Sequence, residues 1–143
     1  RSAGGWLVAK TSTSYPSDVG GIILEAPFLN VQSLATTAPF ADQDAAEFGR
    51  SPIELKQLAP DIPEPLFPVS VLLMIPAKDS LIAPEAMASW GYNTMCKQPS
   101  GELSLMFFAP HGDHGTLSSQ AELNEWMALR EVFIRTTSEK DAH

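Results

Sequence analysis

The chain has one cysteine, no cluster of basic residues and no long apolar run, and each shortage removes a class of function. Cys96 alone cannot close an internal disulfide, and no Cys/His set shows the spacing of a zinc site. That usage points to a reducing compartment, the cytoplasm. Nine Lys and Arg against 17 Asp and Glu give a formal net charge of −8. Nothing is gathered to neutralise phosphates, so nucleic acid is not expected as a partner. The same balance argues against an anionic membrane surface. Apolar runs such as Val69 to Ala77 fall well short of the roughly 20 residues that span a bilayer, and no membrane partner is expected. No motif calls for a metal or a cofactor, and the chain carries no internal repeat and no low-complexity tract. It opens on Arg1 without an initiator methionine, which leaves targeting open.

What is present reads as an α/β domain. A length of 143 residues suits one domain or part of a larger one, and 44% hydrophobic residues can furnish a core that a disordered chain could not. After Gly4-Gly5, the segment from Trp6 predicts a helix that ends before Tyr15-Pro16. Gly21 to Ala26 is a β-branched apolar run closed by Pro27, the pattern of an internal strand. From Phe28 to Pro68, prolines at 39, 52, 60, 63, 65 and 68 break every periodicity. An irregular excursion is expected there, with short helices at Asp42 to Phe48 and Pro52 to Leu58; a connection of that length is usually functional.

Val69 to Ala77 is the clearest buried strand, and Lys78-Asp79-Ser80 forms its polar exit. Pro84 suits a first helical turn, and Met87, Trp90 and Met95 carry the apolar side of a helix from Glu85 to Met95. Leu103 to Ala109 is a third strand, followed by the loop Pro110 to Thr116. From Ser118 to Thr136, Leu123, Trp126, Met127, Arg130, Phe133 and Ile134 recur at helical spacing with Glu122 and Glu125 opposite. Trp90, Trp126 and the methionines are assigned to the core, and Cys96 to a buried or half-exposed helix position.

Alternating strands and helices in this order place Ser2, Asp79 and His114 in loops outside the carboxyl ends of parallel strands, where such sheets bind ligands. The chain order Ser, Asp, His is that of the α/β-hydrolases. A serine hydroxyl needs a base to take its proton, and the base needs a carboxylate to hold its tautomer. The glycines after Ser2 would let a helix pack closely beneath a sharp turn, with the Ala3 N–H aimed at a developing oxyanion. His111 is a rival base in the same loop. His114 is preferred because Gly112 and Gly115 on either side tolerate the backbone angles that would turn its ring back over the sheet. Asp113 is the rival carboxylate. The bland readings are a turn or cap for Ser2 and a solvated helix face for Asp42, Asp44 and Glu47.

Arg1-Ser2-Ala3-Gly4-Gly5 resembles the Gly-x-Ser-x-Gly-Gly elbow of the prolyl oligopeptidase family of serine peptidases, without its leading glycine. Pro27-Phe28-Leu29-Asn30-Val31, Glu47-Phe48-Gly49, Lys78-Asp79-Ser80-Leu81-Ile82-Ala83-Pro84 and Gly112-Asp113-His114-Gly115 resemble further segments of it in the expected order, most closely its oligopeptidase B branch. The resemblance implies an α/β-hydrolase fold, with residues 1–143 forming the C-terminal part of the catalytic domain. It implies Ser2 as nucleophile, Asp79 as orienting carboxylate, His114 as base and Ala3 N–H as oxyanion donor. Phe28, Asp44 and Ile82 would contact an oligopeptide substrate.

It further implies an N-terminal β-propeller and earlier sheet strands in the parent chain, and a second oxyanion donor there. The 143-residue stretch alone is accordingly expected to be inactive. One departure is Leu81, which stands where the family usually has an arginine that binds the substrate backbone. Leucine offers neither charge nor donor, which admits an esterase-like hydrolase or a non-catalytic module as alternatives to a peptidase.

Overall fold

The computed structural model describes residues 1–29 and 68–140. The helices expected at Asp42 to Phe48 and Pro52 to Leu58, the Glu47-Phe48-Gly49 segment and the candidate substrate contact Asp44 lie outside the described residues. In chain order the elements are helix α1 (Ala3–Ser14), a 3₁₀ turn (Pro16–Asp18), strand β1 (Gly21–Glu25), strand β2 (Ser70–Pro76), helix α2 (Pro84–Lys97), strand β3 (Ser104–Ala109) and helix α3 (Gln120–Lys140).

The three strands form a parallel sheet in the order β1-β2-β3. Glu25 pairs with Met74 and Pro76 with Ala109, so all three strands leave the sheet at the same edge. β2 is buried along its whole length, as its unbroken apolar run requires of a central parallel strand. Its side chains alternate. Val71, Leu73 and Ile75 join Ile22, Leu24, Met87 and Trp90 in one core. Leu72 and Met74 join Ala109, Trp126 and Phe133 in the other. Helices therefore cover both faces, with α1 and α2 on the first and α3 on the second.

Local chemistry explains the boundaries. α1 ends in Thr11-Ser12-Thr13-Ser14, whose hydroxyls bond back to Leu7, Ala9 and Lys10 carbonyls. Such residues hold a helix weakly, and Pro16 stops it. In α2, a Cβ on Gly91 would come within 2.6 Å of the Met106 sulfur and 2.8 Å of Leu73, so only glycine lets α2 lie this close to β2 and β3.

The buried face of α3 differs from the expected one. Glu122, Trp126, Phe133 and Thr137 are buried with Leu129 packed beside them, whereas Leu123, Met127 and Ile134 are exposed. At about 100° per residue, the expected residues do share one stripe, but the buried stripe is turned by roughly 60° from it, so that only Trp126 and Phe133 belong to both. The winning stripe tolerates polar members because each has a partner: Trp126 Nε1–H donates to Glu25 at 2.7 Å, and Thr137 donates to the Phe133 carbonyl at 2.9 Å. The methionines also divide. Met74 and Met87 are core, while Met95 and Met127 are exposed. Cys96, next to Met95 on the outer side of α2, is exposed too.

This register generates the first prediction. Phe133→Ala should cost about 3–5 kcal/mol, the range for a buried aromatic, and Ile134→Ala less than about 0.5 kcal/mol, as a surface change does. Chemical denaturation of the two variants beside the parent measures both, and equal losses would mean that α3 is rotated.

Candidate active site

Ser2 immediately precedes α1 and lies beside the exit of β1. It pairs with Pro27 in a parallel bridge. Its N–H points at the carbonyls of Glu25 (3.3 Å) and Ala26 (3.2 Å), and its own carbonyl accepts from Gly5 (2.9 Å) and Phe28 (3.0 Å). These bonds hold Ser2 at φ 50° and ψ −130°, a region that L-residues rarely occupy and that persists only where surroundings over-determine it. Ala26, at φ 44°, shares the strain. Close approach makes the rest possible: a Cβ on Gly5 would lie 2.8 Å from Pro27 Cβ, whereas Gly4 faces open space. Of the two glycines expected to permit close packing, only Gly5 does so.

As residue before the helix, Ser2 could have capped α1 with its hydroxyl, and it does not. Ser2 Oγ lies instead 3.1 Å from His114 Nε2. His114 Nδ1 is 2.8 Å from Asp79 Oδ2, and the Asp79 side chain is fully buried. Its other oxygen accepts the N–H groups of Leu81 (2.9 Å) and Ile82 (2.8 Å). An ionised carboxylate only accepts, so the proton between Asp79 and His114 belongs on Nδ1. Nε2 is thereby left as the acceptor facing the serine hydroxyl. Ala3 is the first residue of α1, among the N–H groups that have no carbonyl partner within a helix; this end of the helix favours negative charge.

The two loops that carry Asp79 and His114 are tied together by main chain. Lys78 N–H donates to the Gly112 carbonyl at 2.9 Å, and Ala77 N–H to that of Ala109 at 2.9 Å. Gly112 and Gly115 were expected to supply unusual backbone angles, but among the described residues the only glycine at positive φ is Gly101. Gly112 serves by size: a Cβ there would fall 1.9 Å from the Leu117 carbonyl oxygen. Asp113 does not meet an imidazole in the contacts it makes. Its Oδ1 accepts from Gly115 (2.8 Å) and Thr116 (2.7 Å) and folds the loop on itself.

Phe28 is half-buried against the first core, and its N–H holds Ser2. Ile82 is 2% exposed and packed in that core, so what it offers the site is its backbone N–H. Leu81 is partly buried beside it. Among the described residues no group of three or more His, Cys, Asp and Glu is placed to hold a metal, and no helix is long and apolar enough to cross a membrane. An open depression of about 700 Å³ on α3, lined by Met127, Arg130 and Ile134 among others, includes none of these site residues.

Sequence reading missed Glu122, which was placed on the solvated side of α3. Ser119-x-x-Glu122 is a capping box: Ser119 N–H donates to Glu122 Oε2 at 2.5 Å, and Glu122 N–H to Ser119 Oγ at 3.3 Å. The other carboxylate oxygen accepts the His111 N–H at 3.0 Å and lies 3.3 Å from the His111 ring. Burial alone would raise this carboxyl. Hydrogen bonds from the Ser119 hydroxyl, the His111 and Ser119 N–H groups and the His111 ring outweigh it and hold the pKa at about 2, below the ordinary 4.5. His111 is otherwise exposed and sits on Glu122.

The sign of this shift sets a pH window. A carboxyl with its pKa lowered by folding adds stability in full above the unfolded value near 4.5 and loses it as pH falls toward 2. Glu122→Gln should therefore be less stable than the parent at pH 7, with the gap closing between about pH 4.5 and 2. Denaturation at pH 7, 4 and 2.5 checks this, and a gap independent of pH would show that the charge of Glu122 plays no part.

Compared with known proteins, the chain matches no family model, no curated protein and no solved structure.

Proposed function

We propose that this chain is part of a serine hydrolase of the α/β-hydrolase fold, with the prolyl oligopeptidase type of peptidase as its chemistry. One observation carries the reading: an unbroken series of hydrogen-bonding atoms from Ser2 Oγ through His114 Nε2 and Nδ1 to the buried Asp79 Oδ2, at 3.1 and 2.8 Å. Its serine stands at positive φ immediately before a helix, the backbone strain expected of a nucleophile elbow. The resemblance of Arg1-Ser2-Ala3-Gly4-Gly5, Lys78 to Pro84 and Gly112 to Gly115 to segments of that family points the same way.

In the proposed reaction, His114 Nε2 takes the Ser2 hydroxyl proton as Oγ bonds to the carbonyl carbon of an oligopeptide. Asp79 steadies the imidazolium through Nδ1–H. Negative charge gathers on the carbonyl oxygen, and the Ala3 N–H at the start of α1 stabilises it. His114 returns its proton to the leaving amine as the C–N bond breaks, leaving an acyl ester on Ser2. Water, activated by the same imidazole, hydrolyses that ester and restores the hydroxyl. His111 has no part in this, because its ring is engaged at Glu122.

Leu81 favours a second reading of the same site. Its side chain packs toward the core and brings no donor to a peptide backbone, which suits an esterase-like hydrolase whose substrate needs no such grip.

The test uses the full-length parent protein, of which these residues are proposed to form a part, and a fluorophosphonate probe. Ser2→Ala and His114→Ala should abolish labelling, and His114→Ala should cut kcat by roughly 10⁴ to 10⁶; His111→Ala should keep most of the activity. The reverse behaviour of the histidine variants would reassign the base, and an unlabelled parent would leave a non-catalytic module. If the enzyme is a peptidase, Leu81→Arg should raise kcat/KM for peptides by about 1–3 kcal/mol in transition-state binding, the worth of a hydrogen bond to a charged group. Faster turnover of esters than of peptides, unchanged by Leu81→Arg, would favour the esterase.

A further inference from the structure

The residue before the serine reaches the loop that carries the histidine. Arg1 Nη2 donates to the His114 carbonyl at 2.5 Å and to the Gly115 carbonyl at 2.9 Å, across more than a hundred residues of sequence. One guanidinium nitrogen thus spends both its hydrogens on two consecutive backbone oxygens. On the N–H side of the same loop, Asp113 Oδ1 takes the amides of Gly115 and Thr116. The peptide groups around His114 are held from both sides, by an acid acting within the loop and a base arriving from outside it.

The outside contact has a geometric consequence that the inside one lacks. Arg1 is covalently joined to Ser2, whose backbone is fastened to the exit of β1. Arg1 side chain, His114 backbone, His114 ring and Ser2 Oγ therefore close a ring of contacts. The loop itself is exposed at Asp113 and Gly115, and reacting groups displaced by about 1 Å can lose roughly 100-fold in rate. A guanidinium stays charged throughout the working pH range and is rigid, so this tether does not loosen as other groups titrate.

We propose that Arg1 is a positioning residue that holds the His114 base at reacting distance from Ser2. This rests on the hydrolase reading above, and the test separates the two. In the full-length parent protein, Arg1→Met keeps most of the stem and removes the donors, while Arg1→Lys keeps donors of shorter reach.

Fluorophosphonate labelling of the parent is read first; an unlabelled parent overturns the hydrolase reading and this proposal with it. With a labelled parent, Arg1→Met should label and turn over roughly 10- to 100-fold more slowly, with KM within about twofold and the same final titre of labelled serine. Arg1→Lys should recover a large part of the loss. The proton NMR signal of the His114 Nδ1–H facing Asp79 should broaden in Arg1→Met and sharpen again in Arg1→Lys. Parent-like rates in Arg1→Met would overturn the proposal. So would a rise in KM at unchanged kcat, which would make Arg1 a substrate contact. A fall in labelled titre matching the fall in rate would reduce Arg1 to a structural role.

Discussion

The arrangement depends on β2 being covered on both faces and paired on both edges. A strand with no face toward water can be apolar throughout, and Val71 to Ile75 is. Parallel pairing to β1 and β3 then brings three exits to one edge of the sheet. Each exit delivers one piece of the site: the β1 exit fastens Ser2, the β2 exit carries Asp79 and the β3 exit carries His114. The residues are far apart in sequence, and it is the sheet register that makes them neighbours.

Within that frame, Asp79, Ser2 and His114 are each held by a different means. Asp79 is the most constrained, with a buried side chain and two amides on one oxygen. Its remaining oxygen meets His114 Nδ1. The amides and the imidazole together compensate the cost of burying a carboxylate, which would otherwise be several kcal/mol. Ser2 is held by its backbone instead of its side chain, so its hydroxyl can address the ring. Burial fixes Asp79 and main-chain bonding fixes Ser2, while the histidine loop, exposed at Asp113 and Gly115, is held by its own folded turn and by Arg1.

Much of this was legible in the sequence. Strands at Gly21, Val69 and Leu103 and helices at Pro84 and Ser118 carried strong punctuation and long periodic runs, and the elements lie within two residues or so of those starts. Asp79 and His114 meet because each lies just past a strand end, and Ser2 joins them from the turn before α1 that is bonded to the β1 exit. Other features were hidden because they depend on partners remote in sequence. The inward face of α3 was misread because Glu122 looks like a surface residue until the His111 amide is beside it, although the capping box with Ser119 was available as a local signal. The role of Gly112 was misjudged because an approach of the Leu117 carbonyl leaves no trace in local composition. Arg1 appeared only as a filler position in a motif, and nothing in the chain announces a contact with residues 114 and 115.

The strain at Ser2 and Ala26 bears on how such a chain can change over evolutionary time. Glycine enters the positive-φ region without the penalty that a Cβ brings, of order 1–3 kcal/mol, so the fold is more comfortable with glycine at position 2 than with the serine that chemistry would require there. On the proposed function, stability and hydrolysis would thus pull in opposite directions at a single codon. Under that proposal, a lineage released from the demand for catalysis would have an easy route to a sturdier, inert descendant, a stability–activity trade-off placed in the backbone.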